Sequence, residues 1–261
     1  MLLENKNAVV YGGAGFVGAA VARAFAREGA KVFLAGRTAS TLDEVAGEIS
    51  AAGGQAETAQ VDALDEEAVD RHADAVVRKA GGIDVSFNAI GHGDVHGLPL
   101  LEIPYDDFAR PVITAIRTLF LTARAGARHM IKAGSGVIMA ITATTARQAI
   151  PEVGGTGVAF DAIESLCRQW ASELGAFGVR VVWLHTTGLP EALHGDRFPA
   201  YATGHEMSRT ELVDWLQGKT MLGRMTSLAD VGNAAAFLAS DRAAALTACG
   251  VNLSCGSVPG R

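Results

Sequence analysis

The chain has 261 residues, 49% of them hydrophobic and 19% charged, with a formal net charge of −6. This excludes a disordered or low-complexity polypeptide, and the acidic balance leaves no basic footprint for nucleic acid. Three cysteines (Cys167, Cys249 and Cys255), odd in number and far apart, give neither a disulfide framework nor a metal spacing, as suits a reducing cytoplasm. The longest charge-free stretch, from Ala243 to Gly260, is broken by Thr, Asn, Ser and Gly, so no membrane span is expected. The opening MLLENKN lacks the basic and apolar blocks of a signal peptide.

In chain order, Ala8–Tyr11 reads as a first strand. Phe16–Glu28 follows as a helix with Phe16, Ala20, Val21, Ala24 and Phe25 on one face and Gly29 as its stop. Lys31–Ala35 is a second strand, and Ser40, with Asp43 three residues on, caps a helix over Thr41–Ala52. Gly53 and Gly54 end that helix before a strand around Gln55–Val61. A helix over about Glu66–Ala80, broken by Gly81 and Gly82, leads to a strand at Ile83–Asn88. Asp106–Lys132 is a long helix with Pro111 near its first turns, where proline costs least. Gly136–Thr142 and Val179–His185 are near-continuous apolar strands, which implies burial on both sheet faces. A helix of about Gly157–Ala176 lies between them, and Gly250–Ser254 is the last strand. The alternation predicts one α/β domain, a Rossmann-type doubly wound parallel sheet of about seven strands with helices on both faces. Residues 186–220 break the rhythm and read as a substrate lid, the alternative being an ordinary surface connection.

Gly13, Gly15 and Gly18 fit G-x-G-x-x-G directly after the first strand and at the opening of the first helix. In that context the glycines permit a tight turn and a close backbone approach to a pyrophosphate, which the helix amino end attracts. Gly12, Ala14, Gly15, Phe16, Val17 and Gly18 are the expected cofactor contacts; the structural alternative is glycine used only for strand–helix packing. The second strand ends Ala35-Gly36-Arg37, with no carboxylate to meet a ribose 2′-hydroxyl. Arg37, with Thr38 or Ser40, suits a 2′-phosphate, so NADP(H) is preferred to NAD(H), unless Arg37 merely solvates the turn.

Over essentially its whole length the chain resembles the short-chain dehydrogenase/reductase family. Besides the glycine loop, Val61-Asp62 is similar to the acidic residue that members place beside the adenine. Asn88-Ala89-Ile90-Gly91 resembles the Asn-Asn-Ala-Gly stretch after the fourth strand, with Phe87 replacing the first Asn. Leu222–Ala243 resembles the penultimate helix and its lead-in. The spacing Gly12-x-x-Gly15-x-x-Gly18 is closer to that of the longer, extended members. The resemblance implies a nicotinamide cofactor held in part by Asp62, Asn88, Ala89 and Gly91. It also implies hydride transfer at a carbonyl or alcohol, assisted by Tyr, a Lys four residues later, Ser and Asn. Assembly as a homo-oligomer, a tetramer or dimer, is implied as well, with the small-residue runs Thr122–Ala127 and Ala234–Ala236 permitting close helix approach.

The catalytic positions depart from that pattern. An ungapped alignment of Trp170–Gly188 puts Thr156 at the tyrosine and Phe160 at the lysine, while Ala143 takes the place of the serine and Ala115 that of the asparagine. The three tyrosines, Tyr11, Tyr105 and Tyr201, are none of them followed by lysine four residues later. Losing such acid–base help costs about 10²–10⁴ in rate. Thr142, Thr144, Thr156 and His185 are the candidate catalytic residues, with Thr145, Arg147, His92, Asp94 and His96 also near the sheet's carboxyl edge; a loop histidine is otherwise a polar turn residue. His92 and His96 lack a third ligand at a metal spacing, so no metal is expected. The reading is an NADP(H)-dependent oxidoreductase acting on a small carbonyl, enone or imine compound by an atypical site. The alternatives are a lyase or isomerase on the same fold, or a catalytically silent cofactor-binding subunit or sensor.

Overall fold

A computed structural model describes residues 1–193 and 208–259. Seven strands form one parallel sheet: β1 (Asn7–Tyr11), β2 (Lys31–Gly36), β3 (Gln55–Gln60), β4 (Val85–Asn88), β5 (Gly136–Ala143), β6 (Val179–Thr186) and β7 (Cys249–Leu253). Their order is β3-β2-β1-β4-β5-β6-β7, so the chain reverses direction across the sheet between β1 and β4. Among the described residues seven helices surround it: α1 (Phe16–Arg27), α2 (Ala39–Ala51), α3 (Glu66–Ala80), α4 (Tyr105–Ala133), α5 (Thr156–Leu174), α6 (Arg209–Gly218) and α7 (Leu228–Ala239).

The two-residue period of the central strands divides the core into two layers. Ala8 and Val10 of β1, Val137 and Met139 of β5, and Val182 and Leu184 of β6 pack with α1, α2 and α7. Val9, Tyr11, Ile138, Ala140, Val181 and Trp183 point the other way, into α3, α4 and α5. Polar QAETAQ forms β3 because it is an edge strand and only partly covered.

Several local expectations are corrected. The buried side of α1 is Gly18, Ala19, Val21, Ala22, Ala24, Phe25 and Ala26, whereas Phe16 is 44% exposed, so the apolar stripe is rotated from the predicted one. Ser40 lies inside α2 and does not cap it: Thr38 is the N-cap residue, without a side-chain cap bond, and Asp43 is engaged by the Thr58 hydroxyl (2.7 Å). Ile83 and Asp84 precede β4, and α5 stops at Leu174, where Gly175–Phe177 tighten into a 3₁₀ turn. The small residues read as an inter-subunit surface are used within the chain. Thr122, Ala123, Ala125, Gly126 and Ala127 are buried, and a Cβ on Gly126 would stand 3.2 Å from Ser86. Ala235 and Ala236 are buried on a helix that meets α1, where a Cβ on Gly232 would come within 3.0 Å of the Ala20 carbonyl. Of the segment read as a lid, 194–207 lies outside the described residues; α6 begins after Ser208, which caps it reciprocally with Glu211. Among the described residues no helix is long and apolar enough to cross a membrane.

The closest backbone approach near the cleft is at Gly18, where a Cβ would stand 2.2 Å from the Gly12 carbonyl oxygen. Because that neighbour is backbone, it cannot swing aside. Gly18→Ala is expected to cost about 1–3 kcal/mol, read as a lowered urea midpoint with an unchanged slope.

Candidate active site

A cleft of about 430 Å³ opens at the carboxyl ends of the strands around the β1–β4 reversal, where open α/β sheets bind ligands. Gly12, Ala14, Gly15, Arg37, Asp62, Ala89 and Gly91, all expected cofactor contacts, line it. Gly12 has φ +76°, and a Cβ there would lie 2.6 Å from the Ala89 carbonyl; glycine is required on both counts. Gly15 is the N-cap residue of α1, without a side-chain cap bond, and the first turn holds no acidic residue. Uncapped N–H groups and the positive helix end therefore meet the cleft through bare backbone, which fits a dinucleotide's pyrophosphate.

The other expected contacts take different places. Phe16 opens α1 on its exposed side, Val17 packs partly buried against the core, and buried Gly18 sits behind the loop and supports it. Asn88 is also buried: its amide donates to Thr122 Oγ1 (3.0 Å), and its Oδ1 accepts from Ile90 N (3.3 Å), which shapes the loop after β4. Asp62 accepts from Leu64 N (3.0 Å) at the rim. Arg37 is exposed just beyond β2, its carbonyl held by the Gln60 amide (2.9 Å), with Thr38 and Thr41 also lining the cleft.

Beyond the cleft, Thr156 is the first residue of α5, Phe160 follows one turn later, Ala143 ends β5, and Ala115 is fully buried in α4. Tyr11 does not substitute for a site phenol. Its hydroxyl turns to His72 Nδ1 (3.5 Å) under α3, and burial, with the Asp70 charge, pushes its pKa up. Tyr105 is 78% exposed at the start of α4, and Tyr201 lies outside the described residues.

The candidate catalytic residues fall into two clusters. Thr142 and His185 are register partners at the ends of β5 and β6. The Thr142 hydroxyl lies 3.1 Å from Glu164 Oε1 and 3.3 Å from His185 Nδ1, and that nitrogen lies 3.0 Å from Glu164 Oε1. Arg147 closes the group with Nε donating to Glu164 Oε2 (3.0 Å) and a second bond from its terminal nitrogen. Glu164 is completely buried, and burial alone would raise its pKa; hydrogen bonds and charge from His185 and Arg147 overcome that and hold it at about 2. The second cluster is at the start of α5, where Thr156 Oγ1 lies 3.2 Å from Asp94 Oδ1 and 2.9 Å from His96 Nε2. Next to it His92, buried, meets the Phe160 ring edge-on at 5.6 Å. Burial lowers the pKa of both histidines against the opposing charge of Asp94.

Thr144 joins neither cluster through its hydroxyl; its carbonyl accepts from Arg147 N (2.9 Å) and Gln148 N (2.8 Å) and forms the turn after β5. Glu164 escaped the sequence reading. The available signal was its place eight residues after Thr156 and four after Phe160, an acid in an otherwise buried helical stripe.

The family model described as enoyl-(acyl carrier protein) reductase matches residues 13–257. The chain is 30% identical over 238 residues to gluconate 5-dehydrogenase of Gluconobacter oxydans (strain 621H), covering 91% of this chain and 89% of that protein. It is 33% identical over 247 residues to secoisolariciresinol dehydrogenase of Forsythia intermedia, covering 92% and 84%. A solved structure of 7α-hydroxysteroid dehydrogenase complexed with NADH and 7-oxo glycochenodeoxycholic acid matches with a TM-score of 0.85 at 26% identity, covering 98% of this chain and 95% of that one. NAD⁺-bound xylitol dehydrogenase shares the fold at a TM-score of 0.89 and 24% identity, covering 98% of this chain and 100% of that one.

The depressed pKa of Glu164 makes its stabilisation dependent on pH. A group lowered from 4.5 to about 2 stabilises the fold fully above about pH 4.5 and loses that contribution as the pH falls toward 2. The contribution is about 3 kcal/mol at neutral pH. Glu164→Gln is expected to lose about that much at pH 7, with the gap to the parent protein narrowing from about pH 5 to about pH 3. Denaturant titrations across that range read the gap directly.

Proposed function

The chain belongs to the short-chain dehydrogenase/reductase family of oxidoreductases, and from that premise we propose that it is an NADP(H)-dependent enzyme acting on a small carbonyl, enone or imine compound. The observation that carries the cofactor reading is Arg37 at the rim of the cleft, with no carboxylate at the end of β2. The 7α-hydroxysteroid dehydrogenase structure holds NADH and the xylitol dehydrogenase structure NAD⁺, which supports the nicotinamide class. Arg37 separates this chain's preference, because a guanidinium pairs with a phosphate through two parallel hydrogen bonds.

When bound, the nicotinamide supplies or accepts a hydride. Gly12 and Gly15 would offer it backbone without side chains and Ala14 only a methyl group, α1 would turn its amino end to the pyrophosphate, and Arg37 with Thr38 would take the 2′-phosphate. Asp62 would lie beside the adenine, and Ala89 and Gly91, which line the cleft, would face the nicotinamide end. The family's tyrosine–lysine pair is replaced by Thr156 and Phe160, which favours acceptors that need little proton donation, such as conjugated enones and iminium compounds. Thr142 and His185, fixed by Glu164, hold the ends of β5 and β6 together, and Thr144 shapes the turn that follows β5. Assembly is as a homo-oligomer, a dimer or tetramer, with Ile113 (63% exposed) and Phe120 (41%) as apolar residues that α4 keeps outside.

Calorimetric titration tests the cofactor assignment. NADPH is expected to bind at least tenfold tighter than NADH. Arg37→Ala should weaken NADPH by about 10- to 100-fold, the loss of one charge-assisted contact, and NADH by less than about twofold. Equal affinity of the parent protein for the two cofactors overturns the NADP(H) assignment. No saturable binding of either at millimolar concentration overturns the dinucleotide reading.

A further inference from the structure

Besides strand ends and loops, one face of α4 borders the cleft, through Thr114 and Thr118 one turn apart. Hydrogen bonds fix that face in register with the loops that share the cleft. Beside the threonines, Arg117 Nε donates to the Leu64 carbonyl (2.9 Å), which ties α4 to the loop after β3. Asp62, Ala63 and Leu64 of that loop all line the cleft. One turn further along α4, Thr122 Oγ1 donates to the Thr118 carbonyl (2.8 Å) and accepts from the Asn88 amide (3.0 Å). Asn88 Oδ1 in turn holds Ile90 N (3.3 Å) in the loop after β4.

The two hydroxyls differ in what they still offer. Thr118 is 1% exposed and donates its one proton to the Ala115 carbonyl (3.3 Å), so only its lone pairs remain for a ligand. Thr114 is half-buried, and its hydroxyl bonds no other described residue. Asp62, on the loop that Arg117 ties to this face, is a carboxylate and can only accept. The α4 face and the loop after β3 therefore present acceptors to the same end of the cleft. They complement a ligand edge that carries two N–H donors, and the amino group of adenine is such an edge.

Resting on the NADP(H) reading above, we propose that Thr114, backed by Thr118, is a specificity-determining residue that reads the base of the cofactor. With the adenine beside Asp62, one amino hydrogen goes to the carboxylate and the other to Thr114 Oγ1. Thr118 keeps a further acceptor one turn behind. A base with an oxygen in place of the amino group brings an acceptor to acceptors. A base whose amino nitrogen is closed into a ring has no hydrogen to give. Each is disfavoured because polar groups of the wall are left unpaired. The bonds from Arg117 to Leu64 and from Asn88 to Thr122 hold the threonine face against both loops, so the wall cannot retreat to admit a different edge.

Calorimetric titration of the full chain with NADP⁺ and with 1,N⁶-etheno-NADP⁺, in which a fused ring removes both amino hydrogens, tests this. The parent protein is expected to bind NADP⁺ about tenfold tighter than the etheno analogue. Thr114→Val keeps the shape and removes the hydroxyl. It should weaken NADP⁺ by about 3- to 10-fold, the loss of one hydrogen bond, and the etheno analogue by less than about twofold. Thr114→Ser should stay within about twofold of the parent for both ligands. Equal affinity of the parent protein for the two ligands overturns the proposal without recourse to a variant. A Thr114→Val loss that is absent, or the same for both ligands, overturns it as well. Failure of the parent protein to bind NADP⁺ at all is a separate result and overturns the dinucleotide reading instead.

Discussion

At the start of α1 three stretches of backbone meet with no side chain between them. A Cβ on Gly18 would press the Gly12 carbonyl at 2.2 Å, and one on Gly12 would press the Ala89 carbonyl at 2.6 Å. The end of β1, the first turn of α1 and the loop after β4 are thereby fixed to one another at the place where the sheet reverses direction. Parallel strands force this geometry, because each crossover helix must begin at the carboxyl edge and can approach it closely only where side chains are absent. The consequence is electrostatic as well as steric. Bare N–H groups at the end of a helix dipole face the same crevice that Arg37 borders, so the fold itself prepares a site for phosphate.

Beyond the cleft, α5 is organised by burial. Thr156, Phe160 and Glu164 follow one another at four-residue intervals on α5, and about 12 Å of helical rise separates the first from the last. Thr156 is engaged by the loop after β4, whereas Glu164 is engaged by β6 through His185 and by the turn after β5 through Arg147. A fully buried carboxylate is tolerated only with such partners, and removing one leaves an uncompensated charge. The Glu164 network thus ties the ends of β5 and β6 to α5. The Thr156 cluster lies at the other end of the stripe, on the loop that also walls the cleft.

How much of this was legible follows from the range of the interactions involved. The sheet, its helices and the glycine loop rest on local periodicity and on spacings of a few residues, and so could be read along the chain. The rotated face of α1 could not, because Ala19, Ala22 and Ala26 are too weakly apolar to define a stripe until α7 covers them. The cap expected at Ser40 failed for a tertiary reason, since Asp43 is committed to Thr58 on a neighbouring strand. The alanines of α4 and α7 show the same limit. Small residues indicate a close approach but do not say whether the neighbour is another subunit or the chain's own Ser86 and Ala20. Arg37, Thr156 and Phe160 were visible, whereas the pairing of Thr156 with Asp94 and His96, some sixty residues upstream, is a product of the fold alone.

That pairing bears on why Thr156 is a threonine. Its short side chain ends at a hydroxyl and a methyl group, and the space beyond the hydroxyl is occupied by Asp94 and His96. Those two side chains cannot withdraw independently. The backbone that carries them is held by Glu152 and Val153, and it passes so near Gly154 that a β-carbon there would strike Val95. A longer side chain at 156 would have to displace a loop that also forms part of the cofactor cleft at Gly91 and Gly93. The loop and the threonine are therefore complementary in shape and in hydrogen bonding, and neither can change alone. A void at this buried polar position would leave donors without acceptors. The Asp94 carboxylate and the His96 imidazole satisfy the Thr156 hydroxyl together, which makes the loop after β4 the structural counterpart of the first turn of α5.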